Sequence, residues 1–166
     1  MNRSLYVVIP LMAVLTILQA TVLARLPVFD IFLQPAALVV IAWGLLRGPY
    51  EGLIWAFIAG IALDLFSIGP TGSTALALML TVLPLTYIKQ LLPENPYLFP
   101  ILLSGLGIAL FLIVYSLILA LAQLGFRWNI LVDLPLTMII NALLAIPIYW
   151  LLRWLTQLLY PRQIEM

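Results

Sequence analysis

Apolar residues run through this chain in blocks far longer than the four to eight of a buried strand, and charges, prolines and glycines separate the blocks. Cutting at those breaks gives six predicted helices, over about residues 5–23, 29–46, 50–66, 73–92, 97–124 and 131–152. A helix needs about 20 apolar residues, at about 1.5 Å each, to cross about 30 Å of hydrocarbon. The expected fold is therefore an all-α integral membrane protein, one polytopic domain over residues 1–166 with six transmembrane helices. The stops are Arg25-Leu26-Pro27, Arg47-Gly48-Pro49, Ser67-Ile68-Gly69-Pro70-Thr71-Gly72, Pro93-Glu94-Asn95-Pro96 and Gly125-Phe126-Arg127-Trp128-Asn129. Gln34-Pro35 falls in the first turns of the second helix, and Ser73 or Thr74 is placed to cap the fourth.

Orientation follows from the excess of Lys and Arg on the cytoplasmic side of a membrane protein. With the N-terminus inside, Arg3, Arg47, Lys89, Arg153 and Arg162 face the cytoplasm and only Arg25 and Arg127 face out, so both termini are expected to be cytoplasmic. Tyr50, Tyr97, Phe99, Trp150, Trp154 and Tyr160 then fall at the inner boundary, and Phe29, Phe126 and Trp128 at the outer one, as an interfacial aromatic belt requires. Arg3 followed by an apolar stretch ending in Val22-Leu23-Ala24 has the order of a signal peptide, but the stretch exceeds the roughly 7 to 15 residues usual there. The first segment is expected to stay as a span.

Composition narrows the chemistry. Of the 166 residues 66% are apolar and 8% charged, against about 45 to 50% and about 25% in a soluble domain. The chain has no Cys and no His, which removes disulfide frameworks, thiolate or imidazole metal sites and Cys or Ser/His nucleophile systems. No cofactor or metal is expected. Seven Lys and Arg and six Asp and Glu stand singly, without the basic stripe that neutralises a phosphate backbone, so nucleic acid is not an expected partner.

The third segment carries the most information. Gly52, Ala56, Gly60 and Asp64 recur every four residues and lie along one helix face. Small residues let another backbone approach closely, which in lipid replaces the missing hydrophobic drive between helices. The approaching helix is either the chain's own or a partner's. Asp64 ends this face near the outer turn, and a carboxylate at hydrocarbon depth must turn inward and find donors. Candidates are the backbone N–H groups of residues 67–73, and the guanidinium of Arg25 or Arg127. A structural clamp on the turn, a contact with a partner protein, and ion or proton handling are the three roles open to it.

Glu51 follows Arg47 by four residues across Gly48-Pro49, so a local, surface-exposed ion pair is expected over the hairpin. Among the midspan polar residues, Thr16, Thr81, Thr86, Ser104, Ser116 and Thr137 can bond the preceding turn's carbonyl, whereas Asn141 should bond across a helix interface. Pro10, Pro84 and Pro147 lie inside spans and are expected to bend them. Glu51 and Asp64 stand 13 residues apart, about 20 Å of helix, too far for a carboxylate pair acting on one bond. Catalysis is not expected.

With these residues in view, residues 34–77 resemble the bacterial rod shape-determining protein MreD family. The resemblance rests on Gln34-Pro35 and the run to Ala42-Trp43-Gly44-Leu45-Leu46, and on the hairpin Arg47-Gly48-Pro49-Tyr50-Glu51-Gly52. It continues through Gly60-Ile61-Ala62-Leu63-Asp64-Leu65-Phe66-Ser67 to Gly72 and Ala75-Leu76-Ala77, with Asn141 and Pro147 matching farther on. The resemblance implies a fold similar to the substrate-binding subunits of energy-coupling-factor transporters and a site in the bacterial cytoplasmic (inner) membrane. It also implies a non-catalytic role in the cell elongation complex: binding MreC, beside the MreB filament, a RodA-type glycosyltransferase and a class B penicillin-binding protein, and so helping to position peptidoglycan synthesis. The residues this reading assigns to a partner-binding or structural face are Gly52, Ala56, Gly60, Asp64, Gly69, Pro70 and Gly72. Ala36 departs from the family pattern, where a more polar residue follows the proline, and the tail after Arg153 has few basic residues.

The alternative is a vitamin-binding subunit of an energy-coupling-factor type transporter. The bends in the spans and the small residues Ala20 and Ala24, on which a coupling module could dock, favour it. Its outer loops would offer only Arg25, Asp30, Phe126, Arg127, Trp128 and Asn129 to a ligand.

Overall fold

A computed structural model describes residues 2–21, 34–67, 69–92, 98–122 and 129–159. Among the described residues the chain is all helix: α1 (Asn2–Thr21), α2 (Pro35–Arg47), α3 (Pro49–Asp64), α4 (Ser73–Leu91), α5 (Leu98–Leu121) and α6 (Asn129–Leu159). Three stretches within α4, α5 and α6, Ser73–Leu91, Ile101–Leu121 and Leu134–Leu158, are long and apolar enough to cross a membrane. The apolar parts of α1 and α2, Tyr6–Gln19 and Pro35–Arg47, are shorter. Pro10, Pro84, Pro135 and Pro147 all lie inside helices that continue past them.

α2 is the axis of the bundle. It touches all five other helices, and every residue from Pro35 to Leu45 is buried. With 13 residues it rises only about 20 Å. Its start is set by Pro35, which lacks the N–H that a first helical residue cannot use and keeps Gln34 out of the helical region, at φ −120° and ψ 60°. The span expected over residues 29–46 therefore begins as helix at Pro35, and residues 29–33 lie outside the described residues.

That buried start needs partners for its backbone donors, and amide side chains from two other helices supply them. Asn141 Oδ1 in α6 accepts the Gln34 N–H at 3.3 Å, and Gln19 Oε1 in α1 accepts the Ala36 N–H at 3.4 Å. Gln19 also donates from Nε2 to Gln34 Oε1 at 3.0 Å, while Asn141 Nδ2 donates to the Thr137 carbonyl at 2.8 Å. The expected bond of Asn141 across an interface is thus made to the first turn of α2.

The outside of the bundle is apolar. Phe57, Leu76, Leu80, Leu83, Leu106, Ile113, Leu117, Ile139 and Leu143 are all exposed. A soluble protein would not present contiguous apolar surface on so many helices, whereas hydrocarbon solvates it. Inside, Thr81 and Thr86 donate to the carbonyls of Ala77 and Leu83, as isolated helix hydroxyls do. Thr16, Ser116 and Thr137 depart from that expectation, since their buried hydroxyls find no acceptor.

Candidate functional site

The stripe of small residues on α3 is filled by the chain's own helices. A Cβ built on Gly60 would stand 2.2 Å from the Cα of Ala75 in α4, and one on Gly52 would stand 2.8 Å from the Cα of Gly44 in α2 and 2.8 Å from Val82 in α4. Gly52, Ala56, Gly60 and Asp64 are all buried. The stripe lets α3 settle between α2 and α4.

Beyond Asp64 the chain leaves the helix at Leu65 and turns back into α4. Asp64 is 3% exposed, and its carboxylate lies under this turn. Oδ2 accepts the Gly72 N–H at 2.8 Å, and Oδ1 accepts the Thr74 N–H at 3.1 Å and the Ser73 hydroxyl at 3.4 Å. The N-cap of α4 is Gly72, at φ +97°, rather than the expected Ser73 or Thr74. Gly72 has no side chain to offer, so the capping oxygen comes from the end of the preceding helix. A negative charge at the start of α4 also suits the positive end of that helix dipole.

The turn is tied further by Ser67 Oγ, which accepts the Gly69 N–H at 3.1 Å. A Cβ added at Gly69 would meet the Tyr115 hydroxyl of α5 at 3.2 Å, so α5 closes the turn's other side. Pro70, whose carbonyl accepts the Ser73 N–H at 3.1 Å, and Thr71 are exposed. Leu65 is 74% and Phe66 59% exposed at the same end. The result is a firmly held turn that presents two large apolar side chains. Arg25 and Arg127, the other candidate partners for Asp64, lie outside the described residues.

At the opposite end the α2–α3 hairpin is fastened by Glu51. Its Oε1 accepts from Arg47 Nη2 at 2.9 Å, and its Oε2 accepts from Trp43 Nε1 at 3.2 Å. The expected ion pair is present but is not a surface one, with Glu51's side chain only 14% exposed. Trp43 stacks on Trp55, ring centroids 4.1 Å apart, both indoles fully buried. Lys89 Nζ, from the last turn of α4, donates to the Leu45 carbonyl at the end of α2. Sequence inspection missed the stack and the lysine contact, because neither has a local pattern; both depend on helix register.

No group of three or more His, Cys, Asp or Glu gathers among the described residues. Of the loop residues that would serve a small ligand, Arg25, Asp30, Phe126, Arg127 and Trp128 lie outside the described residues, and Asn129 is described by its backbone alone.

Fold and site together define a class: a helical, membrane-associated protein whose polar groups fasten its own turns and helix ends. More narrowly, the chain belongs to the rod shape-determining protein MreD family, whose pattern matches residues 1–159. No curated protein and no solved structure matches the chain. Family membership carries a role in determining rod shape.

Proposed function

We propose that this chain is a non-catalytic subunit of the bacterial cell elongation complex, crossing the inner membrane six times with both termini cytoplasmic. It binds MreC and through it helps to hold peptidoglycan synthesis to the side wall, alongside MreB, a RodA-type glycosyltransferase and a class B penicillin-binding protein. The observation that supports this reading is the clamped turn at the end of α3. Asp64 fixes its backbone through Gly72 and Thr74, and Leu65 and Phe66 stand out from it. Preorganised apolar groups on a rigid base are what a binding surface needs, since little ordering cost then opposes association. In this topology the turn lies on the outer side of the membrane, facing the extracytoplasmic part of a bitopic partner.

The small-residue stripe packs against the chain's own α2 and α4, so its substitution acts on folding first. Substituting Gly60 or Asp64 would disturb folding and binding together. The informative variant is therefore Leu65→Ala with Phe66→Ala. Co-purification with MreC should fall markedly in the double variant and persist in a control carrying Leu106→Ala on the exposed face of α5. Equal recovery of MreC from both would remove the turn from the interface.

A further inference from the structure

Gly69 sits where hydroxyls from three parts of the chain converge. A Cβ built on it would stand 3.2 Å from the Tyr115 hydroxyl of α5, 3.4 Å from Ser67 Oγ in the turn and 3.6 Å from Ser73 Oγ at the start of α4. The space that a methyl group would take is therefore lined by three oxygens. It adjoins the surface, since Ser67, Pro70 and Thr71 are exposed around it.

The three hydroxyls differ in what they still offer, each having one proton to donate. Ser73 gives its proton to Asp64 Oδ1 at 3.4 Å. Ser67 accepts the Gly69 N–H at 3.1 Å, and its own proton has no acceptor among the described residues. Tyr115 is set by its ring, stacked on the buried Phe111 with centroids 5.9 Å apart, and its hydroxyl bonds nothing among the described residues. Unlike the hydroxyls of Thr16, Ser116 and Thr137, it is not enclosed by the protein. A phenol oriented by packing and left without an internal acceptor is a directional donor for a bound molecule.

Two uncommitted protons, on Tyr115 and Ser67, suit an acceptor. The Asp64 carboxylate behind Ser73 opposes a second negative charge, so the acceptor that fits is neutral. A main-chain carbonyl is the neutral acceptor that every residue of a protein carries. Leu65 and Phe66, exposed on the same turn, are placed to meet the side chains beside it.

We propose that this recess receives a main-chain carbonyl oxygen of MreC, with Tyr115 as its donor and Gly69 keeping the space open. The proposal rests on the reading of the turn as the MreC surface, and supplies that surface with its hydrogen bond. Apolar anchors give affinity without direction, whereas a donor of fixed position sets the register of the bound segment.

The test uses the full chain and full-length MreC, purified in detergent, and reads two quantities for each variant, the Kd and the unfolding temperature. Tyr115→Phe removes only the oxygen and keeps the ring on Phe111. Because that oxygen bonds nothing within the protein, unfolding should be unchanged while the Kd rises about fivefold, the loss of one neutral hydrogen bond. Gly69→Ala fills the recess with a methyl group and should weaken binding at least as much. Leu65→Ala with Phe66→Ala, the control for the turn itself, should weaken it too.

An unchanged Kd in Tyr115→Phe, with the double variant still weakened, overturns the recess and leaves the turn standing as the MreC surface. A lower unfolding temperature in Tyr115→Phe also overturns it, since the hydroxyl would then serve the fold. Full binding by the double variant removes the turn, and the recess with it.

Discussion

Asp64 and Gly72 are joined across eight residues of chain by a 2.8 Å hydrogen bond, carboxylate to backbone N–H, that closes the turn between α3 and α4. The other oxygen reaches Thr74 at 3.1 Å, so one buried side chain terminates one helix and caps the next. Asp64→Ala leaves the Gly72 and Thr74 donors without that acceptor. It is expected to lower stability in detergent by about 2 to 4 kcal/mol, since a charged acceptor is worth roughly 1.5 to 3 kcal/mol and stranded donors add to the loss. Asp64→Asn keeps one oxygen and should recover part of this. Thermal unfolding of the purified protein, read by helical ellipticity, checks the order Asp, Asn, Ala.

Gly60 and Gly52 should be the least replaceable positions on α3. Gly60→Ala places a methyl group 2.2 Å from the Cα of Ala75, backbone that cannot give way, and is expected to cost 3 kcal/mol or about that. Gly69→Ala meets only the tip of Tyr115, at 3.2 Å, and should cost well under half as much. The same unfolding assay ranks the two, and a reversed order would mean that α3 does not rest on α4 at Gly60.

Glu51 accepts from both Arg47 and Trp43, and two substitutions separate these bonds. Glu51→Gln removes the ion pair with Arg47 but keeps an oxygen for Trp43, and because the pair is largely buried a loss of about 1.5 to 3 kcal/mol is expected. Glu51→Ala also strands the buried indole N–H, adding about 1 to 3 kcal/mol. Tryptophan fluorescence reports the consequence directly, because Trp43 lies stacked on Trp55. The Ala variant should shift the emission, and the Gln variant should hardly do so.

Asn141 supports the start of α2 from α6. Asn141→Leu removes the acceptor for the Gln34 N–H, and interhelical bonds of this kind in membranes average about 0.6 kcal/mol with a ceiling near about 1.7. A loss in that range, together with faster amide exchange at Gln34, is the expected result. No change in exchange would show that the α2 start is held by Gln19 alone.

How much of this was legible beforehand depends on whether the signal was local. Charges, prolines and glycines mark the breaks between the helices of the described residues, although α6 runs through Arg153 to Leu159 where the expected segment ended at 152. The four-residue spacing from Gly52 to Asp64 showed a close-packing face, but nothing local says which helix fills it. That answer needs Gly44 and Ala75, brought opposite by the hairpin and the turn. Asp64 was marked by being a carboxylate where lipid should be, and its donors by the adjoining turn. The cap at Gly72 was misassigned to Ser73 or Thr74, since local rules look for a hydroxyl at the helix start and not for an acid eight residues back. The embedded start of α2 was half visible in Gln34-Pro35; its partners Gln19 and Asn141 lie 15 and 107 residues from Gln34 and could not be paired from sequence.

The proposed contact with MreC lies at the clamped turn. A photo-crosslinking amino acid at Phe66 in cells tests it, with a second at Leu106 on the exposed side of α5 as reference. An MreC adduct from position 66 and none from position 106 is the expected result. Adducts from 106 alone, or none from 66 while the two proteins still co-purify, would contradict it.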